Sequence, residues 1–342
     1  MAIRAAVCGA SGYTGAELLR LLASHPEIEA VVATADSNAG KAVGEMFPSL
    51  ASAYPDLVCG PLDPTDLAGV DVIFCGLPHG ASQPIMESLI ATGARIIDLG
   101  ADFRLAPDAY SQWYGEGHVA PHLTERFVYG LPELFRDQIR DAQCVAVPGC
   151  YPTAVSLACA PLVEAFPVAH PIIVNAVSGV SGAGRAAKVT SLYSEVNESV
   201  LAYGLLTHRH TAEMERNLAL VAGAPLSVLF TPHLVPMTRG IHATCTVAGL
   251  PVEADDLLDR YRAFYAGERF VKVCNEPPAT KATLGSNSVH VTVRWDERTR
   301  TALAIGVLDN LVKGASGQAV QCANLALGLD EHLGLTVTGM MP

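Results

Sequence analysis

The sequence predicts two α/β domains: a doubly wound parallel sheet, then a domain built on a mixed, largely antiparallel sheet. Three observations predict them. A glycine-rich loop, Gly9-Ala10-Ser11-Gly12-Tyr13-Thr14-Gly15, follows a short apolar strand and opens a helix. Apolar strands then alternate with helical segments to about Pro148. Beyond Cys150 the strand-like runs alternate apolar and polar residues, as antiparallel strands do. At 342 residues the chain is long for one domain and suits two. The expected division is 1–149, completed by a C-terminal helix within 314–342, and 150–313.

In chain order, Ala5-Ala6-Val7-Cys8 reads as the first strand and Ala16 to Leu22 as its crossover helix. Glu27 to Thr34, Val70 to Cys75 and Arg95 to Leu99 read as further strands, and Cys144 to Val147 is an apolar run. Their alternation with helices implies right-handed crossovers and a Rossmann-type sheet. In the second half the strands are Ile172–Val177, Leu226–Phe230, Ala243–Val247 and Val289–Val293. Asp255 to Tyr265 and Gly314 to Leu329 read as helices, and the latter is rich in small residues.

Half of the residues are apolar and few are aromatic, so the core must be built from Ala, Val, Leu and Ile, which suits helices on a sheet. A formal charge of −12 argues against nucleic acid or an anionic membrane surface as a partner. Nine cysteines without a C-x-x-C pair or metal-type spacing suggest reduced thiols of a cytoplasmic protein with no metal site. The chain enters a strand almost at once, so no signal peptide is expected, and no apolar stretch approaches a membrane span.

Cys150 is the first candidate for chemistry. It lies in Val147-Pro148-Gly149-Cys150-Tyr151-Pro152-Thr153, between an apolar run and a run readable as a helix. A cysteine at a helix mouth faces the positive end of the dipole, which favours the nucleophilic thiolate. The alternative fate is a small buried apolar residue. The loop Gly9–Gly15 suits a pyrophosphate, because glycines let the backbone approach and the helix N-terminus stabilises the charge. Past the second strand, Asp36 suits a ribose hydroxyl and so NAD, whereas Ser37 and Lys41 suit a 2′-phosphate and so NADP. From those residues alone the choice stays open. Ser178-Gly179-Val180-Ser181-Gly182-Ala183-Gly184-Arg185 forms a second small-residue loop, and Asn310 follows another strand-like run. Pro78, Ser181, Gly182 and Asn310 join the cofactor side.

Thr207-His208-Arg209-His210 precedes a helix. If extended, it puts both histidines on one face and Arg209 on the other. Histidine serves as acid or base near neutral pH. At the helix N-terminus, His210 is expected to have a lowered pKa and to be the main acid/base, with His208 orienting substrate. Arg104 and Arg239 follow strands, where guanidinium can clamp phosphate or carboxylate. With Ser178, Arg185 and Arg209 they make up the expected substrate side.

These strings, from Gly9–Leu18 through Gly100–Arg104, Val147–Thr153, Ser178–Arg185 and Thr207–His210 to Asp309–Gly314, closely resemble the N-acetyl-γ-glutamyl-phosphate reductase family. That family is related to aspartate-semialdehyde dehydrogenase, and the match covers almost the whole chain in order. The resemblance implies a homotetramer, NADPH on the Rossmann domain and a second α/β domain like that of glyceraldehyde-3-phosphate dehydrogenase. It implies that the last helix returns to the first domain, that Cys150 is the acylated nucleophile and that His208 and His210 are its acid/base partners. It further implies Arg104 on the leaving phosphate and Asn310 on the nicotinamide side. Two departures stand out: Asp36 is an odd neighbour for a 2′-phosphate, and His242 lies about one residue beyond the relatives' catalytic histidine. The implied reaction is reduction of an acyl phosphate to an aldehyde through a cysteine thioester. Its rivals are another acyl phosphate as substrate, aspartyl or carrier-linked aminoadipyl, or a dinucleotide-binding regulator without turnover.

Overall fold

The structure is a computed structural model that describes residues 2–251 and 257–341. It divides into two compact units, Met1–Pro148 with Ala315–Leu335, and Gly149–Gly314 with Thr336–Pro342.

The first unit is built from β1 (Ile3–Cys8), α1 (Tyr13–Leu22), β2 (Ile28–Thr34), the single turn α2 (Val43–Met46), β3 (Val72–Cys75), α3 (Met86–Ala91), β4 (Arg95–Asp98), α4 (Pro107–Tyr114), β5 (Phe127–Tyr129), α5 (Pro132–Arg140) and β6 (Cys144–Ala146). Its six strands lie in the order β2-β1-β3-β4-β6-β5, and every pairing is parallel. Strands β3 and β6 are buried at every position, as expected of a sheet covered on both faces. β5 has no counterpart in the sequence reading, because three residues are too few to show a period.

The second unit contains α6 (Cys150–Ala165), β7 (Ile172–Ser178), the single turn α7 (Tyr193–Val196), β8 (Leu201–Ala202), α8 (His210–Ala222), β9 (Val228–Leu234), β10 (Ile241–Ala248), α9 (Leu257–Phe264), β11 (Val271–Val273), β12 (Val289–Asp296) and β13 (Thr301–Leu308). Of the helix expected from Asp255, Asp255 and Asp256 lie outside the described residues. The strand order is β11-β12-β13-β10-β7-β9-β8. β7 with β9 and β11 with β12 are parallel, and the other pairings are antiparallel. The sheet is thus mixed and largely antiparallel. Burial alternates strictly along β10: Ile241, Ala243, Cys245 and Val247 face the core, and His242, Thr244, Thr246 and Ala248 face away.

Helix α6 is the axis of this unit, buried along nearly its whole length against β10, β12 and β13. Pro161 interrupts its ladder, since proline has no N–H for the Leu157 carbonyl four residues back. The Tyr265 hydroxyl donates to that carbonyl instead, so the helix continues to Ala165 without an orphaned acceptor.

After β13 a π-turn, Val312–Ser316, leads into α10 (Gly317–Ala326), which packs on α1, α5 and β4 of the first unit. The terminal stretch expected over 314–342 divides at Leu335. Beyond it, Asn287 N–H donates to the Thr336 carbonyl and the Ser288 hydroxyl to the Val337 carbonyl, which ties the last residues to the second unit.

Candidate active site

In the second unit the residues with chemistry converge on the first turn of α6. Gly149 is its N-cap, in ordinary extended backbone (φ −69°, ψ 156°), and the half-buried Cys150 is its first residue. The amides of Cys150 and Tyr151 fall in the first turn, where no intrahelical acceptor exists, and Pro152 brings no N–H. The positive end of the helix therefore lies at the sulfur.

His210 reaches Cys150 through Gly149. A β-carbon built on Gly149 would lie 2.5 Å from His210 Nε2, so the imidazole occupies the space where a side chain would stand. Glu213, one helical turn along α8, is fully buried and accepts from the Gly149 N–H at 3.1 Å. Ring and carboxylate thus grip the same residue from one helix face. On another side of the cysteine is Gly314, where a β-carbon would stand 2.7 Å from Cys150 Cβ. The buried Asp309 sets that approach: its carboxylate accepts from the N–H groups of Leu311 (2.8 Å), Val312 (3.2 Å) and Gly285 (2.7 Å). Its carbonyl receives Gly314 N–H at 2.9 Å. A π-turn at such a place fits the usual location of these distortions at functional sites.

The segment around His208 is not extended. Arg209 is helical, and the His208 carbonyl accepts from both the backbone N–H and the hydroxyl of Thr211. The histidine rings meet through this turn rather than through strand alternation, with centroids 4.8 Å apart. Tyr151, Tyr203 and Phe230 also surround the His208 ring, at 5.8, 5.5 and 5.2 Å. Burial first and the Arg209 charge second lower the His208 pKa to about 4. The Tyr203 hydroxyl donates to that of Tyr151 at 3.1 Å. Burial, with the charge of Cys150 adding to it, pushes the Tyr203 phenol up to about 12 and that of Tyr151 further still.

The small-residue loop of the second unit is knitted to its neighbours. Ser178 donates to the Gly179 carbonyl at 3.0 Å. Asn310 Nδ2 donates to Ser181 Oγ (2.9 Å), and its Oδ1 accepts from Gly240 N–H (2.7 Å). Asn310, expected on a carboxamide, therefore has both polar atoms bonded to protein loops. Gly182 is exposed beside Ser178. Arg239 lies 3.6 Å from Asp309, while Arg185 and Arg209 are exposed. His242 faces away from α6, because Ile241, Ala243, Cys245 and Val247 form the buried face of β10 on which that helix packs.

The first unit carries its own constellation. Gly9 has φ +82°, and a β-carbon there would lie 2.4 Å from the Gly76 carbonyl oxygen. One on Gly15 would lie 2.4 Å from the Gly9 oxygen. Gly12, the N-cap of α1, has nothing nearer than 3.5 Å, so the loop presents bare backbone between the two packed glycines. The close packing of Gly9 and Gly15 leaves the Gly12 backbone uncovered at the N-terminus of α1, which fits a pyrophosphate. Ala10 is buried, Ser11 and Thr14 are half-buried, and Tyr13 is exposed at the helix start. After β2, Lys41 Nζ donates to Asn38 Oδ1 at 3.1 Å and Asn38 Nδ2 reaches Ser37 Oγ at 3.5 Å, giving an exposed polar cluster. Pro78 is exposed in the turn after β3. Arg104 is buried and donates to the Leu99 carbonyl at 2.7 Å.

Glu213, Asp309, Gly314, Tyr151 and Tyr203 were given no role at the site by the sequence. Only Glu213 had a local signal, a carboxylate three residues after a histidine at a helix start. Among the described residues no group of His, Cys, Asp and Glu is arranged to hold a metal ion, and no helix is long and apolar enough to cross a membrane.

Two family models match the chain: the NAD binding domain of semialdehyde dehydrogenase over residues 4–142 and its dimerisation domain over 150–310. N-acetyl-gamma-glutamyl-phosphate reductase of Symbiobacterium thermophilum is 51% identical over 346 residues, 99% of each chain. The proteins of that name from a Geobacter species and from Pseudomonas fluorescens are 48% and 46% identical, over 99% of this chain and 100% of theirs. Among solved structures, aspartate semialdehyde dehydrogenase II from Vibrio cholerae, complexed with ASA, has a TM-score of 0.73 at 17% identity, covering 96% of this chain and 99% of its own. Aspartate semialdehyde dehydrogenase with NADP from Candida albicans has a TM-score of 0.70 at 17% identity, covering 95% and 98%. These two likenesses concern the fold alone.

Proposed function

Because this chain belongs to the N-acetyl-γ-glutamyl-phosphate reductase family of semialdehyde dehydrogenases, we propose that it reduces N-acetyl-γ-glutamyl phosphate to N-acetyl-L-glutamate 5-semialdehyde and phosphate, in arginine biosynthesis. It is an oxidoreductase with a nicotinamide-dinucleotide domain. The observation that carries the catalytic assignment is the His210 imidazole seated on Gly149, the residue before Cys150.

Cys150 is the nucleophile. The helix end favours its thiolate, which attacks the acyl carbon and expels phosphate, leaving a thioester. Arg104 is assigned to the departing phosphate, and Ser178, Arg185, Arg209 and Arg239 to the rest of the substrate. A bound nicotinamide would supply a hydride to the thioester carbonyl, which accepts it more readily than a carboxylate does. His210 lends a proton to the oxygen of the resulting thiohemiacetal and recovers it as the carbonyl re-forms and the thiolate leaves. Glu213 holds α8 against Gly149 by accepting its N–H, which keeps His210 beside Cys150. His208 orients the substrate.

The dinucleotide is NADPH in this reading, with the Gly9–Gly15 loop and Pro78 along it, Ser37 and Lys41 at the 2′-phosphate, and Ser181, Gly182 and Asn310 framing the nicotinamide end. The enzyme is cytoplasmic and works as a homo-oligomer, a tetramer by family resemblance. A register-matched row across the outer face of the second sheet, Leu229, Ile173, Thr246 and Leu303, leaves three apolar side chains exposed and supports association through that face.

The test is NADPH oxidation with acetylglutamyl and aspartyl phosphates side by side, paired with mass spectrometry without cofactor. Acetylglutamyl phosphate should turn over faster and acylate Cys150 alone. Cys150→Ser should bind NADPH yet retain less than a tenth of the activity. Faster turnover of aspartyl phosphate would overturn the substrate assignment, and an active Ser variant would overturn the nucleophile.

A further inference from the structure

Building on the assignment of Cys150 and His210, we propose that His208 is a catalytic hydrogen-bond donor whose Nε2–H binds the acyl oxygen during both thioester formation and reduction, while His210 alone moves protons.

The bonding of the ring itself sets the tautomer. The backbone N–H of His210 donates to Nδ1 of His208 at 3.2 Å. A nitrogen that accepts from an amide N–H holds a lone pair there, so an uncharged ring carries its one proton on Nε2. The orientation is fixed as well. Tyr151, Tyr203, Phe230 and His210 each present an edge or a face to this ring. A flipped ring would set a carbon against the His210 amide and lose that bond. No hydrogen bond to Nε2 is made among the described residues, and the side chain is half-buried, so Nε2–H remains a donor for a ligand.

The surroundings keep the ring uncharged. The titratable and charged groups around it are Arg209 on its own turn, Tyr151 on α6, Tyr203 after β8 and His210 on α8. Burial and Arg209 both oppose a second positive charge. Both tyrosines are held as phenols, far from ionisation at neutral pH. The ring centroids of His208 and His210 lie 5.8 and 6.0 Å from that of Tyr151, the residue that follows Cys150. The two imidazoles thus flank the same Tyr151 side chain in different roles.

The chemistry needs such a donor. Attack by sulfur and addition of hydride each build negative charge on the same acyl oxygen. An uncharged imidazole N–H stabilises that charge and is too weak an acid to give its proton away, so the oxyanion collapses without a protonation detour at this residue. The first turn of α6 holds the Cys150 and Tyr151 amides, and Pro152 contributes none. His208 adds a side-chain donor to that short set.

Nitrogen-15 NMR of histidine-labelled wild-type enzyme between pH 6 and 9 should show His208 with a pyrrole-type Nε2, a pyridine-type Nδ1 and no titration. His208→Ala should lower kcat by about 10²–10³-fold, the cost of one oxyanion donor, with both limbs of the pH profile unmoved. His208→Gln, which places an amide N–H near the Nε2 position, should recover most of that loss. A His208 that titrates between pH 6 and 9, or that carries its proton on Nδ1, overturns the proposal, as does an alanine variant with unchanged kcat and only a raised substrate KM. These outcomes are separable from failure of the reductase reading, which would appear as an unacylated Cys150 in the wild-type enzyme whatever the His208 spectrum shows.

Discussion

Gly149 is a glycine because His210 stands in its side-chain position: a β-carbon there would lie 2.5, 2.7 and 3.0 Å from three atoms of the imidazole ring. Its backbone angles suit any residue, so conformational freedom is not the reason. Gly149→Ala should therefore displace the His210 ring while leaving the chain folded, and lower kcat by about 10²-fold, the value of a lost general acid. Kinetics beside a thermal melt check it. Full activity in a folded variant would mean that His210 works from elsewhere.

His210→Asn should lower kcat by about 10²-fold or more and flatten one limb of the pH–rate profile. His242→Asn should change little, since that ring lies on the face of β10 turned away from α6. The two pH profiles decide it, and a larger loss in the His242 variant would reverse the assignment.

The fully buried Asp98 gives the first unit a pH-dependent stability. Burial foremost, with the negative charge of Asp102 also acting in that direction, pushes its carboxyl up to about 7. Between the unfolded value near 4 and 7 the folded chain holds a proton that the unfolded chain releases. This contribution is complete below about pH 4 and is lost as pH rises through 7, on the order of 1 kcal/mol per pH unit within that window. In Asp98→Asn the amide can still accept from Gly100 N–H and bond Ser82, as Asp98 does. Urea midpoints at pH 5 and 7.5 should show a fall in the wild type relative to the variant. Parallel changes in the two proteins would show that Asp98 is ionised in the fold.

Lys41 and Ser37 flank Asn38 in one exposed cluster after β2. Lys41→Ala should lower kcat/KM for NADPH by roughly 10–100-fold, the range of one charged hydrogen bond, and leave NADH unaffected. The ratio of the two constants is the readout. An unchanged ratio would move the 2′-phosphate elsewhere, and a wild-type preference for NADH would point to Asp36 and the ribose hydroxyls.

Strands and loops with strong local signals were legible. The Gly9–Gly15 loop after an apolar strand, the buried run Val72–Cys75 and the alternation of β10 each carry their period within a few residues. β5, β8 and β11 were not, because strands of two or three residues have no period to read and form only when a neighbour offers a ladder. β13, eight residues long, showed only as a strand-like run without bounds before Asn310, because Gly306 and the small residues around it blur the pattern; a residue larger than glycine there would strike the Ala154 carbonyl of α6.

What the sequence determined by itself was the class of fold, the candidate nucleophile at a helix mouth, the phosphate-binding loop and the two histidines, since each depends on residues adjacent in the chain. Tertiary structure alone decided how they act together. Gly149 and the carboxylate of Glu213 are 64 residues apart in sequence and 3.1 Å apart in space. Asp309 ties the loop that ends at Gly314 to Gly285, 24 residues away, whose N–H its carboxylate accepts, and Gly314 lies on Cys150. The turn at His208 replaced the expected extended segment because Thr211 offers its carbonyl two donors, and that turn brings Nδ1 onto the His210 amide. Distances, burial and tautomer are properties of packed neighbours, so a one-dimensional pattern can propose the chemistry while the fold selects the atoms that perform it.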